Sequence, residues 1–79
     1  MKELELYKGI RSADKEKWLK LAQYLVRCKE TGEKVTAEGA ANASGYSLKG
    51  VVRKIEFVSL SESQGLAITA NGTFVDTIK

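Results

Sequence analysis

The clearest hydrophobic pattern in the chain is a helical repeat between residues 12 and 31. Its apolar positions recur three or four residues apart and define one face: Trp18, Leu21, Ala22, Leu25 and Cys28. Ser12 is placed to cap the N-terminus of such a helix, and Gly32 to end it in a left-handed conformation. The pattern predicts an amphipathic first helix over residues 12–31 that packs the Trp18 face against the core.

The segment before this helix, residues 1–11, alternates loosely between apolar and polar side chains. Leu4 and Leu6 fall on one side, and Glu3 and Glu5 on the other. Alternation with a period of two is typical of a half-buried strand. The segment is therefore expected to form a short strand or an extended N-terminal arm.

The last part of the chain, residues 65–79, has the pattern of a β-hairpin. Asn71 and Gly72 stand between the two apolar runs L-A-I-T-A and T-F-V-D-T-I-K. Asparagine and glycine tolerate the positive φ that both central positions of a type I′ turn require. This turn predicts a hairpin in which Ile68 lies opposite Val75.

Residues 36–58 have the spacing of two helices joined by a tight turn. A small residue, Ala41, would let the helices cross closely, Gly45 would form the turn, and Ser47 would cap the second helix. Three apolar residues would anchor that helix to the core: Val51, Ile55 and Val58. The spacing predicts a helix-turn-helix over residues 36–58.

The stretch from residue 48 to 60 is also compatible with a strand, because its β-branched residues suit either structure. The alternative α+β fold is one long helix packed on a three-stranded antiparallel meander of residues 51–60, 66–70 and 73–78. That fold favours a different function. The protein would then be a non-enzymatic protein-interaction module or inhibitor, such as phages and other mobile elements encode.

Over residues 12–79, the order of these features resembles the winged helix-turn-helix family of bacterial and archaeal regulators. The resemblance is carried by the run A-E-G-A-A-N-A-S-G-Y-S-L-K-G-V-V-R-K-I-E-F-V, followed by G-L-A-I and the N-G turn. It implies an α+β fold of three helices plus a C-terminal β-hairpin wing. It also implies a DNA-binding transcriptional regulator that inserts residues 47–58 in the major groove and uses the 66–78 hairpin as its wing.

The charge pattern of the proposed second helix is compatible with this function. No acidic residue lies between Gly45 and Ile55, and Lys49, Arg53 and Lys54 share the outer face of the helix. An arginine in the major groove binds guanine O6 and N7 or a phosphate, whereas lysines commonly meet phosphates. This face is the expected DNA-reading surface.

Further candidate contacts lie in the turn and at the hairpin tip. Hydroxyl groups and a helix N-terminus commonly meet the DNA backbone. Gly50 would let the helix approach DNA closely, although a glycine in a helix interior costs about 1 kcal/mol of stability relative to alanine. The tip of the hairpin would touch the minor groove or a phosphate. The predicted DNA-binding residues are Ser44, Tyr46, Ser47, Lys49, Gly50, Arg53, Lys54, Asn71 and Thr73.

Composition argues against catalysis. The 79 residues suffice for one domain with a small core, and the chain has no histidine and one cysteine. Without histidine there is no imidazole base and no histidine-ligated metal, and a single cysteine forms neither an internal disulfide nor a cysteine-rich zinc site. No catalytic residue, metal or cofactor is predicted.

Charge and hydropathy indicate the partners. Residues 1–34 hold nine basic and six acidic side chains, whereas residues 35–79 hold four of each, so the overall +3 lies outside the predicted DNA-reading half. A monomer with so few cations should bind double-stranded DNA weakly, and a homodimer with recognition helices about 34 Å apart is expected.

No segment has the length of a membrane span or the pattern of a signal peptide, so a cytoplasmic protein is expected.

Overall fold

Three helices and a C-terminal hairpin make up most of the computed structural model, which describes residues 3–4 and 14–76. The elements in chain order are β1 (Glu3–Leu4), α1 (Lys15–Thr31), α2 (Ala37–Ser44), α3 (Leu48–Ser63), β2 (Leu66–Ile68) and β3 (Phe74–Asp76). The predicted α+β layout of three helices and a hairpin is therefore present. Residues 48–63 are helical, so the alternative meander is not the fold.

The predicted apolar face of α1 is the face that the structure buries. Trp18, Leu21, Ala22, Leu25 and Cys28 are all buried. Helix α1 ends at the left-handed Gly32, as predicted, with φ of 78°. It begins at Lys15, later than the pattern indicated, and the predicted cap Ser12 lies outside the described residues.

Helices α2 and α3 are joined by the three-residue turn Gly45–Tyr46–Ser47. Gly45 has φ of 87°, a left-handed conformation that favours glycine, and its N–H donates to the Ala41 carbonyl at 2.8 Å. Ser47 then caps α3, because its Oγ accepts from the Gly50 N–H at 3.1 Å. A turn of this length with glycine is typical of a helix-turn-helix. The predicted pair of helices joined by a tight turn is present over residues 36–58, and α3 continues to Ser63.

Helix α2 packs closely on α1, and Gly39 lies at their point of contact. A Cβ at Gly39 would lie 2.5 Å from the Tyr24 hydroxyl and 2.8 Å from Thr36 Oγ1. The same Thr36 oxygen caps α2 by accepting from the Gly39 N–H at 3.0 Å, and the Thr36 N–H donates to the Tyr24 hydroxyl oxygen at 3.4 Å. The absence of a side chain at position 39 therefore leaves room for both the cap and Tyr24.

The hairpin strands pair in a different register from the predicted one. The sheet order is β1-β3-β2, with both pairs antiparallel, and Ile68 lies opposite Phe74 rather than Val75. Directly opposite residues share one face of an antiparallel pair. Ile68 and Phe74 are both buried, so this register places both of them against the core, whereas the predicted one would put them on opposite faces.

The turn chemistry explains the difference. Among the described residues only glycines have positive φ, so Asn71 lacks the conformation that a type I′ turn requires. The loop instead holds three residues, 70–72, and is closed by the Thr69 N–H donating to the Thr73 carbonyl at 2.9 Å. Gly72, with φ of 79°, takes the left-handed position that such loops carry next to the second strand. The loop is one residue longer than predicted, and the register shifts accordingly.

Trp18 holds this turn against α1. Its indole Nε1–H donates to the Gly72 carbonyl at 2.8 Å, and the side chain is only 3% exposed. A Cβ at Gly72 would lie 2.6 Å from that Nε1 atom, so the turn backbone packs directly on the indole. The hydrogen bond joins residues 54 positions apart and attaches the hairpin turn to the N-terminal half of α1.

One core joins the helices to the hairpin. Its buried members come from α1, α2, α3 and both hairpin strands: Trp18, Leu21, Ala22, Leu25, Ala40, Val51, Val58, Ile68 and Phe74. The Phe57 ring meets Phe74 edge-on with centroids 5.6 Å apart, which fixes α3 against the hairpin. At the C-terminal ends of α1 and α3, Lys29 forms an ion pair with Glu62.

None of the described helices combines the length and apolarity that a bilayer span requires.

The packing of Trp18 on Gly72 can be measured against a matched glycine. Gly72→Ala should lower the free energy of unfolding by about 2–4 kcal/mol, because it adds a clash with the indole to the strain of a left-handed alanine. Gly32 has a φ within one degree of that of Gly72, but a Cβ at Gly32 would have no neighbouring atom within 4 Å. Gly32→Ala should therefore lower the free energy of unfolding by only about 1 kcal/mol. Urea denaturation of both variants measures the difference, and equal losses would contradict the role given to Trp18.

Candidate nucleic-acid interface

The outer face of α3 presents an exposed basic pair beside apolar side chains. Lys49 and Arg53, four residues apart, are both exposed. Together with their neighbours they line a shallow open depression, whose lining residues are Leu48, Lys49, Val52, Arg53 and Glu56. The opposite side of the helix is anchored in the core by Val51 and Val58. The predicted exposure of Lys49 and Arg53 is confirmed, whereas Lys54, which was predicted on the same outer face, is half-buried.

The start of α3 is organised by the Ser47 cap. Ser47 is exposed and accepts from the Gly50 N–H, so Gly50 lies in the first turn rather than in the interior of the helix. A Cβ at Gly50 would lie 3.1 Å from Ser47 Oγ, closer than an ordinary contact. The glycine gives the capping hydroxyl its space, and the penalty expected for a glycine in a helix interior does not apply in full at this position.

Tyr46 connects the α2–α3 turn to the start of α1. Its hydroxyl donates to the Asp14 carbonyl at 3.3 Å, and the side chain is half-buried. Lys54 Nζ lies 4.5 Å from the ring centroid on α3, and Lys17 Nζ lies 5.9 Å from it on α1. Tyr46 is therefore a structural anchor that places two lysines from different helices at the turn.

Ser44 is buried, contrary to its prediction as a DNA contact. The side chain was expected to meet the DNA backbone, but it is only 2% exposed. Its Oγ donates to the Ala40 carbonyl at 2.7 Å and accepts from the Tyr46 N–H at 3.2 Å. Both bonds stabilise the end of α2 and the turn, so in this fold the hydroxyl is not available to a ligand.

The hairpin tip lies at the same end of the molecule as the α2–α3 turn, because both rest on the first turns of α1. Gly72 is bonded to Trp18, next to the Lys17 that contacts Tyr46. Asn71 is exposed at the tip. Thr73 is half-buried, and its Oγ1 lies 2.9 Å from that of Thr69 across the hairpin. Of the two predicted tip contacts, Asn71 alone is exposed.

Three features of this surface were not predicted from the sequence. The position of Lys17 beside the α2–α3 turn is one of them, because it depends on the tertiary packing of Tyr46 and has no local sequence signal. Leu48 and Val52 are exposed on it, although their spacing of four residues beside Lys49 could have indicated this. Glu56 lies at the far end of the same depression and limits the basic face to the first two turns of α3.

Comparison with known proteins adds no assignment to this surface: no protein-family model, curated protein or solved structure matches the chain. Among the residues that the structure describes, no three aspartate, glutamate, cysteine or histidine side chains are grouped so that they could hold a metal ion. The geometry and chemistry of α3 and the α2–α3 turn are therefore the basis for assigning a function.

The structural role of Ser44 is testable against an exposed serine of α3. Ser44→Ala should lower the free energy of unfolding by about 1–2 kcal/mol, because the partly buried Tyr46 N–H loses its acceptor. Ser59 is exposed, and Ser59→Ala should change stability by less than about 0.5 kcal/mol. Chemical denaturation gives both values, and a Ser44→Ala variant as stable as Ser59→Ala would contradict the assignment.

Proposed function

We propose that this protein is a small winged helix-turn-helix DNA-binding protein that acts as a transcriptional regulator. The observation that supports it best is the pair of helices α2 and α3, which a three-residue turn joins. The first two turns of α3 expose Lys49 and Arg53 to solvent. Helix-turn-helix proteins place the second helix in the major groove and contact base edges with its N-terminal residues. An α-helix about 10–12 Å wide fits a groove about 12 Å wide.

In this proposal each group on α3 has a role. Arg53 binds guanine O6 and N7 with its two parallel N–H groups or clamps a phosphate, and Lys49 meets the phosphate backbone. Ser47 and the first-turn amides of α3 lie where a phosphate approaches a helix N-terminus. Lys17 and Lys54, held by Tyr46, extend the cationic surface beside the turn.

The hairpin of β2 and β3 is the wing in this proposal, with Asn71 as its DNA-facing tip residue. Because it rests on Trp18, the wing is held close to the α2–α3 turn rather than projecting freely. The number of cations remains small, so a single copy holds few phosphates. Two copies, with their recognition helices about 34 Å apart on successive turns of the duplex, give the protein a usable affinity.

Titration into random-sequence duplex DNA tests the proposal. With about four cation–phosphate contacts, affinity should fall about 100-fold between about 50 mM and 200 mM salt. Lys49→Ala and Arg53→Ala should each weaken binding several-fold at low salt, and Lys49→Ala should reduce the slope of log affinity against log salt by about one. Fluorescence anisotropy of labelled duplex at several salt concentrations measures both quantities.

The matched control is Lys34→Ala, which removes the same charge at another place. Lys34 is exposed in the segment between α1 and α2, near the end of α1 that is remote from Tyr46 and Trp18. This variant should bind like the wild type apart from a small general charge effect. The proposal fails if no binding appears at low salt, or if Lys49→Ala and Arg53→Ala bind as well as Lys34→Ala.

A second candidate function, a protein-interaction module or inhibitor, is favoured by the exposed apolar residues of α3. Leu48, Val52 and Leu60 are 52%, 39% and 59% exposed. Clustered exposed apolar side chains mark protein interfaces more often than chance. Under this candidate the chain shows no affinity for duplex DNA at low salt, and alanine at positions 48 and 52 weakens partner binding while alanine at 49 and 53 has little effect.

A further inference from the structure

Leu48 and Val52 flank the basic pair of α3 and have no role in the core. We propose that they read thymine through its C5-methyl group, so that the protein prefers DNA sites with thymine beside the base that Arg53 contacts. The inference rests on the proposed DNA-binding function and names the determinant of its specificity.

The exposure of these two residues is not explained by folding. Val51 is fully buried and Val58 is 3% exposed, so α3 is anchored from its other side. Leu48 and Val52 lie four residues apart on the outside, where about half and two fifths of their surface remains in contact with water. Each stands next in sequence to a cation, Lys49 and Arg53 respectively. The face thus alternates apolar and cationic groups over two helical turns.

The chemistry of the major groove supplies one apolar target. Thymine presents a C5-methyl group there, whereas guanine and cytosine present only hydrogen-bonding groups, and the minor groove carries no methyl group at all. An exposed leucine or valine that enters the groove buries its surface against that methyl. The neighbouring Arg53 supplies the hydrogen bonds to guanine that an apolar side chain cannot make.

Helix geometry sets the expected spacing. Four residues of helix rise about 6 Å, and neighbouring base pairs are about 3.4 Å apart, so Leu48 and Val52 reach methyl groups about two base-pair steps apart. Glu56 follows Val52 one turn later on the same face. Its carboxylate is repelled by phosphates and accepts a hydrogen bond from cytosine N4, which keeps this part of the helix over the bases.

Replacement of thymine by deoxyuridine tests the inference, since it removes only the methyl group. A duplex selected for binding from a random pool at low salt would be prepared again with its thymines replaced in groups. Wild-type affinity should fall about four-fold for each methyl that α3 contacts, the value expected for burying one methyl group. This first measurement uses the wild-type protein and so does not depend on any variant folding.

Alanine variants then assign the effect to residues. Leu48→Ala and Val52→Ala should each bring the ratio of thymine to uracil affinity closer to one. Leu60→Ala is the matched control, since Leu60 is an exposed leucine two turns beyond Val52, and it should keep the wild-type ratio.

Two outcomes separate this inference from the function on which it rests. The inference is overturned if the wild-type protein binds the thymine and uracil duplexes equally, or if Leu48→Ala and Val52→Ala both keep the wild-type ratio of thymine to uracil affinity. Either result leaves DNA binding in place. Failure to select or bind any duplex at low salt overturns the proposed function, and the inference with it.

Discussion

The contact between the Trp18 indole and the backbone of the hairpin turn is the constraint on which the arrangement of this fold depends. The hydrogen bond from Nε1 to the Gly72 carbonyl joins residues 54 positions apart. Strands β2 and β3 each have three residues, and a hairpin of that size is marginal on its own in water. The indole, together with Phe57 on Phe74, supplies the packing that holds it in place.

The same end of α1 also supports the α2–α3 turn. Tyr46 donates to the Asp14 carbonyl, and its ring lies near the ammonium groups of Lys17 and Lys54. Lys17 immediately precedes Trp18 on α1. The first turns of α1 therefore position both the start of α3 and the hairpin tip. This explains how a chain whose halves carry +3 and zero charge can still present a basic surface at the turn, because Lys17 comes to it from the other half.

Much of the fold was predictable because its signals are local. The apolar face of α1, the Thr36 and Ser47 caps and the left-handed Gly45 each depend on residues a few positions apart. The hairpin register was not predictable in this way, since an Asn-Gly pair fits a two-residue and a three-residue loop equally well. The burial of Ile68 and Phe74 in the common core decides between the two loops, and that burial is a tertiary effect. Likewise, the structural roles of Ser44 and Tyr46 depend on their hydrogen bonds to Ala40 and Asp14, which lie outside the α2–α3 turn.

In the proposed function, duplex DNA contacts the first two turns of α3 and the turn before it. Amide chemical-shift mapping of the isotopically labelled protein during titration with duplex DNA at low salt tests it most directly. We expect the largest changes at residues 46–56, smaller ones around Lys17 and Asn71, and little change between residues 29 and 36. Changes centred on the C-terminal half of α1, or none at saturating DNA, would contradict it.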